Sequence, residues 1–299
     1  MVSKHRSGLS RREFLRIGAA GAALGLVGCS SQKDTVPAGK DAGRSAKGKP
    51  SRIPIGLQLY SVRGECEKDL PGVLAAVSKM GYEAVEFAGY YGRGAKELRA
   101  LLDANGLKCC GTHIGIETLL GDELPKTIEF NRTIGNRFLI VPGLPHERTA
   151  SRQAWLDTAK LFNELSEKVK PEGMRVGYHN HGIEFQKIDG EDPWDVFFTN
   201  TRSGVVMQVD LGNALGGGGD PIAIMKRYPG RAGTIHVKEF SKTKPSALLC
   251  EGDIDWKEVF GLLESQGGTE WYIVEYDSDA YPPLESVKRC LENLRKMGK

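Results

Sequence analysis

The stretch YHNHGIEF, residues 178–185, sets His179 and His181 two positions apart in a chain of 299 residues with only six histidines. An imidazole titrates near about 6.5, so at neutral pH it can ligate a cation or move a proton. Acidic and basic groups recur in comparable short settings: Glu86 in AVEFA, Asp210 in MQVDL, His236 and Lys238 in TIHVKEF, and Glu275 in IVEY. Imidazole and carboxylate without thiolate suit a divalent ion that keeps an open position, namely Mn²⁺, Mg²⁺, Co²⁺, Fe²⁺ or catalytic Zn²⁺. Such an ion acts as a Lewis acid. It would grip vicinal oxygens of a polyol and stabilise the enediolate formed when a base removes a proton beside a carbonyl.

These residues act together only if the chain brings them together. From Ile53 onward, short β-rich runs alternate with amphipathic stretches. Eight strands are expected, at 53–60, 83–88, 108–113, 137–143, 175–181, 205–210, 233–240 and 271–276. Between them lie helical patterns such as LPGVLAAVSKMG, AKELRALLDANG and DWKEVFGLLESQG, most of which close on the glycine expected past a helix C-terminus. Eight βα units in about 250 residues predict an α/β fold, a (β/α)8 TIM barrel forming a single domain over 53–299. A doubly wound open sheet is the competing architecture. Alternation within the strands decides for the barrel. Val85 and Phe87 oppose Ala84 and Glu86, Val205, Met207 and Val209 oppose Gln208 and Asp210, and Ile235 and Val237 oppose Thr234, His236 and Lys238. The apolar face meets the helices, which leaves the polar face pointing inward.

In this arrangement His113, His146, His179, His181 and His236 all fall at or just past strand ends, and Glu86, Asp210 and Glu275 end strands two, six and eight. That rim is where barrel enzymes build their active sites. His179 and His181 are expected on one inward face. The set His179, Asp210, His236 and Glu275 is the candidate metal site.

The motif series VEFAG, GTHIG, YHNHGIEF, QVDLGNAL, IHVKEF, EGDIDW and IVEYD, spread over 53–299, resembles the xylose isomerase-like TIM barrels known as sugar phosphate isomerases/epimerases. The resemblance implies a metal held by a strand-five carboxylate, an Asp of strand six, a His of strand seven and a Glu of strand eight. The last three correspond to Asp210, His236 and Glu275. Where ketose 3-epimerases of that superfamily carry the strand-five glutamate, this chain has His179, and the nearest carboxylate is Glu184. The departure weakens a symmetrical two-glutamate mechanism. His179 is therefore assigned as fourth ligand and His181 as the proton-moving base, with Glu184 and Glu275 as further catalytic carboxylates and Lys238 neutralising a developing oxyanion. His113 and Glu86 are expected to contact sugar hydroxyls, with Gln58 and Tyr60, on the inward face of strand one, as weaker substrate-binding candidates. Trp256 reads as packing at a helix start. The run ALGGGGD, 214–220, lacks the context of a phosphate cradle and reads as a flexible loop over the site.

The first fifty residues read differently. Ser-Arg-Arg-x-Phe-Leu around Arg11 and Arg12, the apolar run that follows, and Leu-Val-Gly-Cys ending at Cys29 resemble a twin-arginine export signal joined to a lipobox. This implies a signal segment over 1–29, a membrane attachment only through a lipid at Cys29, and an exported, periplasmic or cell-envelope lipoprotein. Residues 30–52, rich in Ser, Gly, Lys and Ala, read as a disordered linker.

Residues 1–52 hold 11 of the 41 Lys and Arg but only 3 of the 38 Asp and Glu, so the rest of the chain carries 30 basic and 35 acidic groups. A mildly acidic domain is poorly suited to a phosphate backbone, which argues against nucleic acid as a partner and against the apurinic endonuclease activity found on related barrels. Cys66, Cys109, Cys110, Cys250 and Cys290 show no C-x-x-C spacing and read as free thiols. The expected activity is a metal-dependent sugar isomerase or epimerase working by proton abstraction next to a carbonyl. The alternatives are a lyase or hydratase on 3-keto-glycosides and a non-catalytic carbohydrate-binding lipoprotein. The partner is a small sugar or keto-sugar, and a homo-oligomer is compatible with the sequence.

Overall fold

A computed structural model describes residues 52–299. The expected signal segment 1–29 with Cys29, and the expected linker up to residue 51, lie outside the described residues. Eight parallel strands alternate with helices, and each expected strand is present, the third with the expected bounds and the others shorter. They are β1 (Ile55–Gln58), β2 (Ala84–Ala88), β3 (Lys108–His113), β4 (Phe138–Val141), β5 (Arg175–His179), β6 (Val206–Gln208), β7 (Thr234–Val237) and β8 (Trp271–Val274). The helices are α1 (Arg63–Met80), α2 (Ala95–Ala104), α3 (Glu123–Thr133), α4 (Arg152–Val169), α5 (Pro193–Thr199), α6 (Leu211–Gly216), α7 (Pro221–Arg227), α8 (Trp256–Gln266) and α9 (Pro283–Lys296). The hydrogen-bonded order is β6-β5-β4-β3-β2-β1-β8-β7. Between β6 and β7 the ring closes on a parallel bridge of Asp210 with His236, His236 N–H donating to Val209 O at 2.9 Å. The closing seam of this TIM barrel thus carries two of the candidate ligands.

The barrel interior is graded. Toward the strand N-termini it is filled by Ala84, Cys110 and Ile273 and by Phe138, Ile140 and Val206. One level up, the inward side chains are Gln58, Glu86, Gln208, Thr234 and His236, all fully buried. The outer strand face packs on the helices as alternation predicts. α4 buries Trp155, Ala159, Phe162, Leu165 and Val169, spaced three and four apart on one stripe. Tyr178 of β5 meets Trp155 and Phe162 edge-on, with ring centroids 5.9 and 6.0 Å apart. Each such aromatic contributes about 2 kcal/mol by burial, and the edge-on contacts add about 1 kcal/mol, which anchors the strand that ends in His179.

Arg231, ahead of β7, is a buried cation whose partners are all neutral oxygens. Its Nη1 donates to Phe198 O at 2.7 Å and its Nη2 to Thr201 Oγ1 at 2.8 Å, Arg202 O at 3.0 Å and Val205 O at 3.1 Å. Burial pulls its guanidinium down to about 10. Arg231→Met is expected to destabilise the barrel by about 3 kcal/mol, because the carbonyls stay buried without donors. A lower urea midpoint at unchanged slope is the expected reading, and an unshifted midpoint would contradict it.

The five described cysteines are free, four of them buried and Cys250 half-buried. Among the described residues no helix is long and apolar enough to cross a membrane.

Candidate active site

The polar layer is organised around Glu86. Glu86 faces into the barrel by the alternation of β2; across the β2–β3 ladder the register shifts, Val85 opposite Cys109 but Glu86 opposite Gly111, and a side chain at Gly111 would collide with the carboxylate. Three donors meet there, Gln208 Nε2 on Oε1 at 2.8 Å and, on Oε2, Gln58 Nε2 at 2.7 Å and His236 Nε2 at 2.6 Å, while His113 Nε2 lies 3.2 Å from Oε2. Burial alone would raise the acid's pKa, but His113 and His236 outweigh it and hold the carboxyl well below its ordinary 4.5.

The other edge of the His236 ring faces Asp210 and Glu275. His236 Nδ1 lies 2.9 Å from Glu275 Oε2 and 3.6 Å from Asp210 Oδ2. Nevertheless Nδ1 and Asp210 Oδ2 are both buried and make no aligned hydrogen bond. Asp210 divides its oxygens: Oδ1 caps α6 by accepting Asn213 N–H at 2.7 Å, and Oδ2 is left toward the imidazole. Burial would depress His236, yet Glu86, Asp210 and Glu275 hold it well above 6.5. Lys238 Nζ donates to Glu275 Oε1 at 2.9 Å. Against the opposing effect of burial, Glu275 and Asp210 keep its ammonium charged.

Orphaned buried atoms on an imidazole and a carboxylate, with a second carboxylate oxygen beside them, form a donor set that fits a divalent cation. Ligand atoms of Asp210, His236 and Glu275 lie within 4.8 Å of one another. A second such group, His113, His179 and His236, shares the His236 ring. There His113 Nε2 and His179 Nδ1 already rest on the Gln208 carbonyl, at 2.8 and 3.1 Å, and His236 Nε2 on Glu86. The satisfied group is scaffold, and the unsatisfied one is the place for an ion.

His179 adjoins the cation-ready group, its ring 4.5 Å from that of His236. Burial, then the neighbouring histidines His236, His113 and His181, push its pKa well below 6.5, so the imidazole is neutral. His181 departs from the strand expectation. β5 ends at His179, and His181 stands exposed in the loop with its ring 5.1 Å from His179. Glu184 is not brought to the cluster. It is fully buried, accepting Tyr178 Oη–H at 2.6 Å and His181 N–H at 2.8 Å, because the turn after His181 folds it back toward the helix layer. Glu86 and Gln58 are likewise not at the rim. Both are fully buried, Gln58 donating to Glu86 and accepting Tyr60 N–H at 3.0 Å, so neither presents a free group to a sugar. Tyr60 is exposed at the mouth with Arg63 stacked 4.0 Å above its ring, and His146 is exposed in the β4–α4 connection. Trp256 opens α8 in the core, its indole donating to Glu239 at 2.7 Å.

The glycine run is not a free loop over the site. A side chain at Gly217 would strike Gly182 O, and one at Gly219 the Phe185 ring, so the run packs against the His181 loop. The close approach read from the sequence is to protein backbone. Gln208 was absent from the expected site, although the alternation of VVMQVD already placed it on the inward face.

An eight-stranded parallel barrel with acids and imidazoles gathered at its C-terminal mouth defines a class, and the comparison with known proteins specifies it. The chain belongs to the xylose isomerase-like TIM barrel family, whose model matches residues 74–297. An inosose dehydratase of Clostridium tetani is 28% identical over 148 residues, covering 43% of this chain and 49% of that protein. The inosose dehydratase of Clostridium beijerinckii is 23% identical over 245 residues, covering 68% of this chain and 82% of its own. A sugar phosphate isomerase/epimerase of Parabacteroides distasonis superposes with a TM-score of 0.69 at 25% identity, covering 82% of this chain and 98% of that one.

Proposed function

We propose that the protein is an exported, divalent-metal-dependent enzyme that removes a proton beside the carbonyl of a keto-sugar or related inosose and then expels a neighbouring oxygen substituent. One observation carries the reading: buried Asp210 Oδ2 and His236 Nδ1 without hydrogen-bond partners, next to Glu275 Oε2 and the charged Lys238. Asp210, His236 and Glu275 would hold the cation, which supplies Lewis-acid polarisation of the carbonyl when bound. The rest falls to the chain's own groups. His181, accessible at the mouth, accepts the substrate proton. Lys238, oriented by its bond to Glu275, directs its remaining N–H groups at the oxygen on which negative charge builds.

Elimination is preferred to epimerisation for a specific reason. An epimerase needs a proton-moving group on each face of the substrate, whereas strand five supplies the neutral, buried His179 in place of a carboxylate. Elimination needs one base and one acid: His181 takes the proton and, as an imidazolium, returns it to the departing oxygen, which leaves as water or an alcohol. The relatives named for dehydration support the same branch. Isomerisation or epimerisation shares the first step and is the second reading, supported by the Parabacteroides relative. The N-terminal resemblance to an export signal and lipobox supports a cell-envelope location and disfavours phosphorylated substrates.

The test is incubation of the purified protein with Mn²⁺ in D₂O with a ketohexose, a 3-keto-glucoside or an inosose. Solvent deuterium beside the carbonyl and loss of the adjacent substituent are expected. His181→Ala should slow both by about 10²- to 10⁴-fold with cation binding intact. Deuterium exchange without elimination would move the assignment to isomerase or epimerase. Bound Mn²⁺ with neither exchange nor cleavage would move it to a binding protein.

A further inference from the structure

Gln208 lies beneath the cation-ready group, fully buried, and its amide orientation follows from its neighbours alone. One end faces Glu86 Oε1 at 2.8 Å and Thr234 Oγ1 at 2.9 Å, the other His113 Nε2 at 2.8 Å and His179 Nδ1 at 3.1 Å. A carboxylate oxygen accepts, so the end against Glu86 is the NH₂ group and the end between the histidines is the carbonyl. Glu86 is fixed in turn by Gln58, whose own orientation is set by the Tyr60 N–H, a main-chain group that can only donate. The logic therefore starts from the backbone and ends at two imidazoles. A carbonyl cannot donate, so both nitrogens facing it must carry hydrogen.

We propose that Gln208 is the positioning residue for strand five: by holding the Nδ1 proton of His179, it leaves Nε2 as the only atom of that ring able to bind a cation or accept a proton. The same carbonyl takes the Nε2–H of His113, so one glutamine fixes a ring edge on each of two strands. The consequence for cation affinity rests on the reading of the site proposed above, but the tautomer does not.

The experiment uses the full chain labelled with ¹⁵N-histidine, treated with chelator, and read by long-range ¹H–¹⁵N correlation at neutral pH. Wild-type His179 is expected to show protonated Nδ1 and bare Nε2. Gln208→Met keeps the side-chain length and deletes the acceptor. His179 should then populate the Nε2–H form, and Mn²⁺ affinity by calorimetry should fall about 10- to 100-fold. Thr234→Val, which frees one hydrogen of the Gln208 amide, should give a smaller change in the same direction. A wild-type spectrum with Nε2–H on His179, or a tautomer unchanged in Gln208→Met, overturns the proposal. If Gln208→Met does not fold, the wild-type spectrum and Thr234→Val decide. An Nδ1–H spectrum in a protein that binds no Mn²⁺ would leave the role of Gln208 standing and remove the cation reading instead.

Discussion

Asp210→Asn is expected to abolish divalent-cation binding and to slow proton exchange by at least about a thousandfold, while the thermal unfolding midpoint stays within a few degrees of wild type. Asparagine is as good a helix N-cap as aspartate, so the bond from Oδ1 to Asn213 N–H survives and α6 keeps its start. What changes is the orphaned atom. Oδ2 becomes an amide NH₂, which cannot ligate a cation and now faces His236 Nδ1 as a second donor. Loss of Lewis-acid stabilisation amounts to several kcal/mol of the barrier, and about 4 kcal/mol corresponds to a thousandfold. Calorimetric Mn²⁺ titration and deuterium uptake check the two halves separately. Undiminished cation binding would show that the carboxylates converge for structural reasons alone.

Glu86→Leu should be the most destabilising single change in the polar layer of the barrel interior, about 3–5 kcal/mol by chemical denaturation. Three donors, from Gln58, Gln208 and His236, converge on its two oxygens with His113 close beside them, and leucine strands the three in a fully buried layer. His236 would also lose the anchor at Nε2 that turns Nδ1 toward Asp210 and Glu275. The sign of the pH dependence follows. The folded state depresses the Glu86 carboxyl below 4.5, so its stabilisation is complete above that pH and disappears as acid lowers the pH through the folded value. Wild type should lose that contribution on acidification, and Glu86→Leu should be flatter over the same window. A mutant as stable as wild type at pH 7 would mean that water replaces the carboxylate.

Much of this was legible in the chain because barrel strands write their two faces in alternation. Val85, Met207 and Val237 had to meet helices, so Glu86, Gln208 and His236 had to face inward, and their positions along each strand placed Asp210 and Glu275 at the mouth. Depth was not legible. Glu86 and Gln58 share the inward face and the buried layer of His236, and only their hydrogen bonds, to each other and to Gln208 and His236, show that neither has a group free for a sugar. Loops were the other loss. Glu184 lies three residues past His181, and nothing local reveals that the turn returns it to Tyr178 of the helix-facing side. The glycine run advertised close approach without saying to what. Gln208 carries no charge and matches no motif, so its role emerges only once Glu86 and two imidazoles surround it.

The most direct measurement is an anomalous difference map from crystals of the protein grown or soaked with Mn²⁺. A peak is expected in the space bounded by Asp210 Oδ2, His236 Nδ1 and Glu275 Oε2, at about 2.0–2.3 Å from each, with His236 Nε2 still on Glu86. A map without density there, or with the ion bound elsewhere while those three atoms stay apart, would contradict the account.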